Sequence, residues 1–243
     1  MNSDIYFIYL FILMDIFNFF FKESPKVTKL LTLSSIAISL LAWFDVISPL
    51  YLYLNFSLVF KKHQYWRLIT NFLYFGEFGL TFLFHLILVF RNSKFLEKNV
   101  FKGNAADYLY FLLISGFVLL TMSPFIGNMF LANSFSFAMT YYWGRKSKNT
   151  IVQVFGLINL RAPYLTWFYL ILGYLMDSGF KNDLYGTIAG HIFFFFKDIF
   201  PRIHDVYDYQ LLKTPLWLQS FCNKVGLVND DFIIEGEDDG LFF

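Results

Sequence analysis

The sequence has few charged residues and almost no cysteine. Only 15% of its 243 residues are Asp, Glu, Lys or Arg, and the formal net charge is +1. Cys222 is the single cysteine, so the chain cannot form an internal disulfide or a thiolate metal centre. We therefore expect no metal and no cofactor, and a net charge this small gives no reason to expect a nucleic-acid partner.

The apolar content is correspondingly high. Hydrophobic residues make up 57% of the chain, and 35 Phe and 16 Tyr are among them. A soluble domain of this size would expose too much apolar surface to water. Abundant aromatic residues suit lipid-facing helices and the interfacial belts of a bilayer. The composition therefore predicts an all-α integral membrane protein.

Long uncharged runs predict six membrane-spanning helices. A helix needs about 20 apolar residues to cross a hydrocarbon core of about 30 Å. The run 108–144 is long enough for two crossings, and Pro124 near its middle predicts a tight hairpin between them. The predicted spans are 30–44, 68–90, two within 108–144, 162–176 and 184–196. Together they define a membrane domain over residues 27–203.

Basic residues in the short loops predict the orientation. Lys and Arg are retained on the cytosolic side during insertion. The loops after the second and fourth spans are basic, with Arg91, Lys94, Lys98, Lys102, Arg145, Lys146, Lys148 and Arg161. Both termini should then be cytosolic. Lys61, Lys62 and Arg67 are a contrary signal, because this topology places them on the opposite side.

The two ends of the chain differ from its middle. Residues 1–26 are interpreted as an interfacial helix, with Lys22, Lys26 and Lys29 toward anionic headgroups. Membrane insertion or cleavage of the apolar stretch 5–21 is the alternative. Residues 204–243 turn polar and end in an acidic run, which predicts a solvated, largely flexible cytosolic tail.

Several local strings together resemble the Derlin family of rhomboid-like pseudoproteases. They are Ile47-Ser48-Pro49, Trp66-Arg67-Leu68-Ile69-Thr70-Asn71-Phe72, Leu96-Glu97, Ala106-Asp107-Tyr108, Ala162-Pro163-Tyr164-Leu165-Thr166-Trp167 and Gly186-Thr187-Ile188-Ala189-Gly190-His191. The resemblance extends from about residue 24 to about residue 215. Its most specific parts are the Trp66-Arg67 pair before the second span and the Gly-x-x-x-Gly-His string of the sixth.

The resemblance implies a six-helix rhomboid-like bundle in the endoplasmic reticulum membrane. It also implies a role in returning misfolded proteins to the cytosol for degradation. The implied partners are membrane lipids, misfolded substrates, a membrane ubiquitin ligase complex, a cytosolic AAA ATPase and further copies or relatives of the chain. Many Derlins dock the ATPase through a short C-terminal motif that contains Phe and Gly. The terminal Gly240-Leu241-Phe242-Phe243 does not match it well.

Comparison with active rhomboids predicts that the chain is not an enzyme. Those proteases place a serine in a Gly-x-Ser-Gly string and a histidine three residues before the Gly-x-x-x-Gly pair of the last span. Here Ser134 lies in Ala132-Asn133-Ser134-Phe135, and the histidine position is Asp183. An aspartate is a poor substitute for the imidazole that accepts the serine proton. His191 lies eight residues further on, more than two helical turns away.

The remaining motif residues each have a structural and a functional interpretation. Gly186 and Gly190 lie on one helix face and predict close helix packing. His191 is either a buried hydrogen-bonding residue or faces a hydrated cavity. Trp66 and Arg67 either anchor the chain at the interface, or Arg67 ties the carbonyls of the apolar loop 46–60 to the bundle.

The short sixth span suggests a mechanism. Its thirteen uncharged residues cover roughly 20 Å, less than the hydrocarbon core of about 30 Å. We expect a thinned bilayer beside a polar groove, with Asn71, Glu77, Asn133, Ser134 and Asp183 as candidate lining residues. Three alternatives are open: an active intramembrane serine protease, a scaffold that recruits degradation machinery without touching substrate, and a component of protein import into a complex plastid.

Overall fold

The computed structural model describes residues 24–77, 79–127, 129–154, 158–175, 179–203 and 212–227. Most of these residues are helical. The helices are α1 (Lys26–Trp43), α2 (Phe56–Lys61), α3 (Arg67–Leu73), α4 (Leu80–Phe95), α5 (Ala105–Ile126), α6 (Ala132–Lys146), α7 (Ala162–Leu175), α8 (Phe180–Phe194), α9 (Phe200–Ile203) and α10 (Leu216–Val225). A 3₁₀ turn covers Pro49–Tyr51, and π-helical turns cover Leu96–Val100 and Phe195–Ile199.

Helix α1 buries small polar residues and exposes large apolar ones. Besides Val27, its buried positions are Thr28, Thr32, Ser35, Ser39 and Ala42, which recur every three or four residues, whereas Leu30, Leu33 and Leu41 are exposed. A helix on the surface of a soluble protein has the opposite arrangement. In lipid, small residues let helices approach one another, and leucine faces the acyl chains. The pattern is that of a membrane helix.

Two of the described helices are long and apolar enough to cross a membrane. They are α1 and residues Ala105–Phe125 of α5, and α5 exposes Leu113, Phe117 and Phe125. Helices α6, α7 and α8 contain 15, 14 and 15 residues, or about 22 Å each at 1.5 Å per residue. The helical membrane character is thus supported, whereas the count of six crossings stays a prediction.

The predicted second span, 68–90, is not one helix. Helix α3 ends at Leu73, and α4 begins at Leu80. Between them Tyr74 is extended and Gly76 has φ 109°, a conformation that favours glycine. At the other end the helix extends past the predicted boundary, so Arg91 and Lys94 lie in α4 rather than in a loop.

Helix α5 also extends past its predicted end at Pro124. The proline lies in the last turn, and Gly127 ends the helix in the left-handed region with φ 69°. Proline has no N–H to offer the carbonyl of Leu120. That carbonyl instead accepts a hydrogen bond of 2.8 Å from the Ser123 hydroxyl. The expected hairpin is present, but it turns after Ile126.

A short β-hairpin corrects the prediction of an all-α chain. Strand β1 (Ile151–Val154) pairs antiparallel with β2 (Ile158–Arg161), with Ile151 opposite Arg161. The β-branched Ile151, Val152 and Val154 favour an extended backbone. The hairpin lies between α6 and α7, in the segment that we expected to be a basic loop.

Part of the predicted tail is folded onto the bundle. Leu218 and Cys222 of α10 pack against Ala106 of α5, and burial raises the pKa of the Cys222 thiol. Lys26 Nζ donates to the carbonyl oxygen of Gly226 at 2.7 Å. The expectation of flexibility is therefore wrong for residues 212–227. The acidic remainder of the tail and residues 1–23 lie outside the described residues.

A buried glutamate joins several helices at one end of the bundle. Glu97 Oε1 accepts from the backbone N–H of Val27 at 3.1 Å, and Oε2 accepts from the N–H of Thr28 at 2.8 Å. These N–H groups open α1, where a negative charge is favoured. The Thr28 hydroxyl also bonds Ser93, and Ser93 bonds the hydroxyl of Tyr108. We call this the Glu97 end; it contains the starts of α1 and α5 and the ends of α4, α6 and α8.

Candidate functional site

Arg67 lies at the opposite end of the bundle and is buried, with 3% of its surface exposed. Its Nη1 donates to the carbonyl oxygens of Leu50 and Tyr53, both at 2.9 Å. Its Nε donates to Gln64 Oε1 at 2.7 Å, and the guanidinium lies 4.8 Å from the centre of the Tyr53 ring. The hydrogen bonds to loop carbonyls that the sequence suggested are present. They satisfy a cation that would otherwise be costly to bury.

Two neighbours of Arg67 hold the same loop. Trp66 Nε1 donates to the Tyr51 carbonyl at 3.2 Å, and Thr70 Oγ1 donates to the Leu52 carbonyl at 3.0 Å. The carbonyls of the four consecutive residues 50–53 are thus all bound from the start of α3. We call residues 50–53 the anchored segment. Thr70 was not among the residues predicted to hold the loop, although it lies one helical turn after Arg67 and shares its face.

Ser134 is buried at the contact between α6 and α8. Its hydroxyl donates to the carbonyl oxygen of Asn182 at 2.8 Å. The next residue, Asp183, is buried in the first turn of α8. The serine hydroxyl is therefore engaged by backbone, and a carboxylate occupies the adjacent position in the chain.

Gly186 and Gly190 allow α8 to lie directly on α6. A Cβ at Gly186 would overlap the carbonyl oxygen of Ser134 and lie 2.8 Å from Phe137 Cβ. A Cβ at Gly190 would lie 2.6 Å from the carbonyl oxygen of Ala138. Real Cβ atoms do not approach backbone this closely, so both positions require glycine while the helices keep this spacing.

His191 is exposed and lies at a different level from Ser134. Its Nδ1 is 2.7 Å from the hydroxyl of Tyr141 on α6. Tyr141 is seven residues beyond Ser134, which corresponds to about 10 Å along the helix. The interpretation of His191 as a buried residue is wrong. The structure does not bring the serine and this histidine together.

The other candidate groove residues lie around the end that holds Arg67. Asn71 is buried, and its carbonyl oxygen accepts from the N–H of Leu131 at 3.1 Å. The Oδ1 atoms of Asn71 and Asn133 are both buried without a hydrogen-bond partner. Glu77 is exposed in the loop after α3. Asn71 and Asn133 thus lie where α3 meets the start of α6, and Ser134 and Asp183 lie between α6 and α8.

This end combines a fixed apolar loop with buried polar groups. Leu50, Tyr51 and Trp66 are exposed beside the anchored segment, a distribution suited to a membrane interface. Unpartnered buried oxygens are costly unless water or a ligand reaches them. Within the described ranges, no three His, Cys, Asp or Glu side chains are grouped so that they would bind a metal ion. The arrangement is suited to hold polar chain or water close to lipid.

Replacing Arg67 with lysine should release the anchored segment. Lysine keeps the charge but lacks the planar fork that reaches two carbonyls and Gln64 together. We expect the amides of Tyr51, Leu52 and Leu54 to exchange with deuterium about tenfold faster in detergent, because about 1.4 kcal/mol of hydrogen bonding is lost. Arg91→Lys, at an exposed site on α4, is the matched control. Equal exchange in wild type and Arg67→Lys would contradict the anchoring role.

Alanine at Gly186 or Gly190 should destabilise the bundle by forcing α6 and α8 apart. Overpacking costs about 1–3 kcal/mol, so the detergent-solubilised protein should unfold at a lower temperature. Gly116→Ala is the control, because a Cβ there would lie 3.7 Å from the Phe72 ring, an ordinary contact. If all three variants melted alike, the two glycines would not set the helix spacing.

The chain is similar in sequence to known proteins along most of its length. The model of the Der1-like family matches residues 24–216. The chain is 38% identical to a probable derlin-2 homolog of Dictyostelium discoideum, over 85% of this chain and 83% of that one. It is 37% identical to Derlin-2.2 of Arabidopsis thaliana (82% and 85% covered) and 31% identical to Derlin-1.1 of Zea mays (84% of each). A family model over most of the length and relatives of matching length show that this membrane protein belongs to the Der1-like family, the Derlins.

Proposed function

We propose that this Derlin is a non-proteolytic factor that helps misfolded proteins leave the endoplasmic reticulum lumen for ubiquitin-dependent degradation. The observation that carries the non-proteolytic part is the hydrogen bond from Ser134 to the Asn182 carbonyl. A nucleophilic serine needs a base within hydrogen-bond reach. Asp183 follows Asn182 in the chain, and His191 pairs with Tyr141 at another level. Membership of the Der1-like family supports the role in protein quality control.

The proposed topology has six crossings and cytosolic termini. The structure gathers basic residues at the Glu97 end, namely Arg91, Lys94, Lys98, Lys102, Arg145, Lys146 and Lys148. The positive-inside tendency makes that end cytosolic. Arg67 and the anchored segment are then lumenal, where misfolded substrates arrive. Residues 1–26 lie on the cytosolic interface in this arrangement, and the acidic tail extends into the cytosol.

Short central helices support a thinned bilayer. Helices α6 and α7 cover about 22 Å each at 1.5 Å per residue, against a hydrocarbon core of about 30 Å. Helix α8 continues through the π-helical turn into α9, but its apolar part, between Asp183 and Lys197, covers only about 20 Å. Lipid beside these helices must thin or bend. A thinner core lowers the cost of moving polar backbone through it, where each unsatisfied amide costs several kcal/mol.

Buried polar groups supply the second part of the proposed mechanism. The unpartnered Oδ1 atoms of Asn71 and Asn133 accept hydrogen bonds from water or from the N–H groups of a passing chain. Ser134 and Asp183 lie on the neighbouring contact of α6 with α8, and Glu77 is exposed in the loop after α3. The anchored segment holds Tyr51 and Leu50 beside this region, where they disturb lipid packing or meet apolar parts of substrate. The expected partners are a membrane ubiquitin ligase, which marks the substrate, and an AAA ATPase, which extracts it.

Loss of Ser134 should not impair the proposed activity. In cells that lack this protein we expect a misfolded lumenal reporter to persist, and both wild type and Ser134→Ala should restore its degradation. Paired changes at Trp66 and Arg67 should restore it less, because they release the anchored segment. Pulse-chase measurement of the reporter half-life distinguishes the rivals. Ser134-dependent cleavage would indicate a protease, and full activity of the Trp66 and Arg67 variants would indicate a scaffold.

Lengthening the apolar part of α8 should slow degradation. Four leucines inserted between Phe196 and Lys197 add about 6 Å, close to one helical turn, and lie beyond Gly186 and Gly190. The bilayer would then need less thinning, and the reporter half-life should rise several-fold. Four serines at the same place are the matched control, because they add length without apolar surface. An unchanged half-life with the leucines would remove the thinning mechanism.

A further inference from the structure

A cavity lies at the Glu97 end, where α6 ends and α8 continues toward α9. Its volume is about 380 Å³, within the range of about 300–1,000 Å³ usual for small-molecule sites. Its lining contains Arg145, Lys146, Lys148, Arg202, Asp198 and Phe194. None of these residues takes part in the proposed passage of substrate.

The lining is strongly cationic. It contains four basic side chains and one carboxylate, and that carboxylate, Asp198, accepts an ion pair from Lys146 at 2.8 Å. Arg145, Lys148 and Arg202 surround the rest of the space, and Asp198 is the one carboxylate among the described residues of the lining. Like charges gathered around one cavity repel each other unless an anion lies between them. The cavity therefore favours an anionic ligand.

Arg145 is oriented as a ligand-binding residue. Its guanidinium lies 5.1 Å from the centre of the Phe194 ring, a cation–π contact. Its Nε is buried and has no hydrogen-bond partner, a state that is rare in proteins without a ligand or water. A planar guanidinium offers two parallel N–H groups to a phosphate. Arg202 on α9 adds a second guanidinium from another side of the cavity.

The position of the cavity points to a lipid. Phe194 belongs to the apolar stretch of α8, whereas Lys197, Asp198 and Arg202 follow it within three turns. The cavity thus lies at the depth where apolar helix gives way to charge, which is the headgroup level of a bilayer. Basic pockets between membrane helices on the cytosolic side suit anionic headgroups. We propose that this cavity binds the headgroup of an anionic phospholipid, with its phosphate on Arg145 and Arg202 and its acyl chains along α8.

This site requires the membrane character of the chain but not the proposed retrotranslocation role. A lipid held here would fix the C-terminal ends of α6 and α8, beyond the glycine contact, to the surrounding bilayer. The chain's own acidic tail is a second candidate anion; its carboxylates are Asp230, Asp231, Glu235, Glu237, Asp238 and Asp239. A lipid is favoured over the tail because an apolar ring borders the cations.

Native mass spectrometry of the full-length protein in mild detergent tests the site with phosphatidylinositol 4-phosphate as the probe. Wild type should bind one molecule saturably. Arg145→Gln with Arg202→Gln should weaken binding about tenfold or more, because two charge-assisted contacts are lost. Lys213→Gln with Lys224→Gln removes the same charge from the same end outside the cavity and should change the affinity by less than about twofold. Arg202→Gln alone, at an exposed residue, tests the site if the double variant unfolds.

Three results would overturn the proposal. One is equal loss of affinity in the cavity and control variants, which would show attraction by net charge alone. Another is displacement of the lipid by inorganic phosphate at equal concentration, which would make a free phosphate compound the ligand. The last is lipid binding only after the six tail carboxylates are changed to amides, which would make the tail the occupant. Loss of lipid affinity in the cavity variants but not in the control variant, with the tail intact, supports lipid binding in the cavity.

Discussion

The close contact of α6 with α8 is the constraint on which the rest of the bundle depends. Gly186 and Gly190 remove the side chains that would otherwise meet the backbone at Ser134 and Ala138. In lipid, burial of apolar surface does little to join helices, so van der Waals packing and hydrogen bonds must do so. Gly144 provides a similar approach at the other end of α6, where a Cβ would lie 2.6 Å from the carbonyl oxygen of Ala162.

That contact also decides what Ser134 can do. Because α8 lies directly on α6, the serine hydroxyl meets the Asn182 carbonyl, and the position beside it is an aspartate. In the proposed mechanism, the chain keeps close helix packing and a polar interior without a catalytic pair. Short apolar segments and unpartnered amide oxygens then both lower the cost of polar groups in the membrane. The lipid proposed for the cationic cavity near Phe194 would add a contact with the bilayer at the opposite end.

The sequence predicted some parts of this arrangement and missed others for identifiable reasons. The glycine pair was predicted to pack. Binding of loop carbonyls by Arg67 was one of two interpretations, because a planar guanidinium offers several donors to a neighbouring loop. The break between α3 and α4 was missed because Glu77 is the only charge between Leu68 and Phe90, and Gly76 and Gly79 were not weighed as residues that end a helix. The β-hairpin of Ile151–Val154 and Ile158–Arg161 was not predicted, because the basic residues around it favoured a loop. Exposure of His191 was missed because helical spacing does not say which neighbour covers a residue.

The sequence by itself determined that the chain is a membrane protein, that it is mostly helical and which family it resembles. Composition decides whether lipid or water is the favourable environment. The order of short motifs along the chain indicates the family without any coordinates. Only the tertiary structure decided which polar atoms find partners. Glu97 caps α1 and Thr70 reaches Leu52, whereas Asn71 Oδ1 and Arg145 Nε stay unpartnered. Hydrogen bonds depend on distances of a few tenths of an ångström between segments far apart in the chain, and local sequence carries no information on those distances.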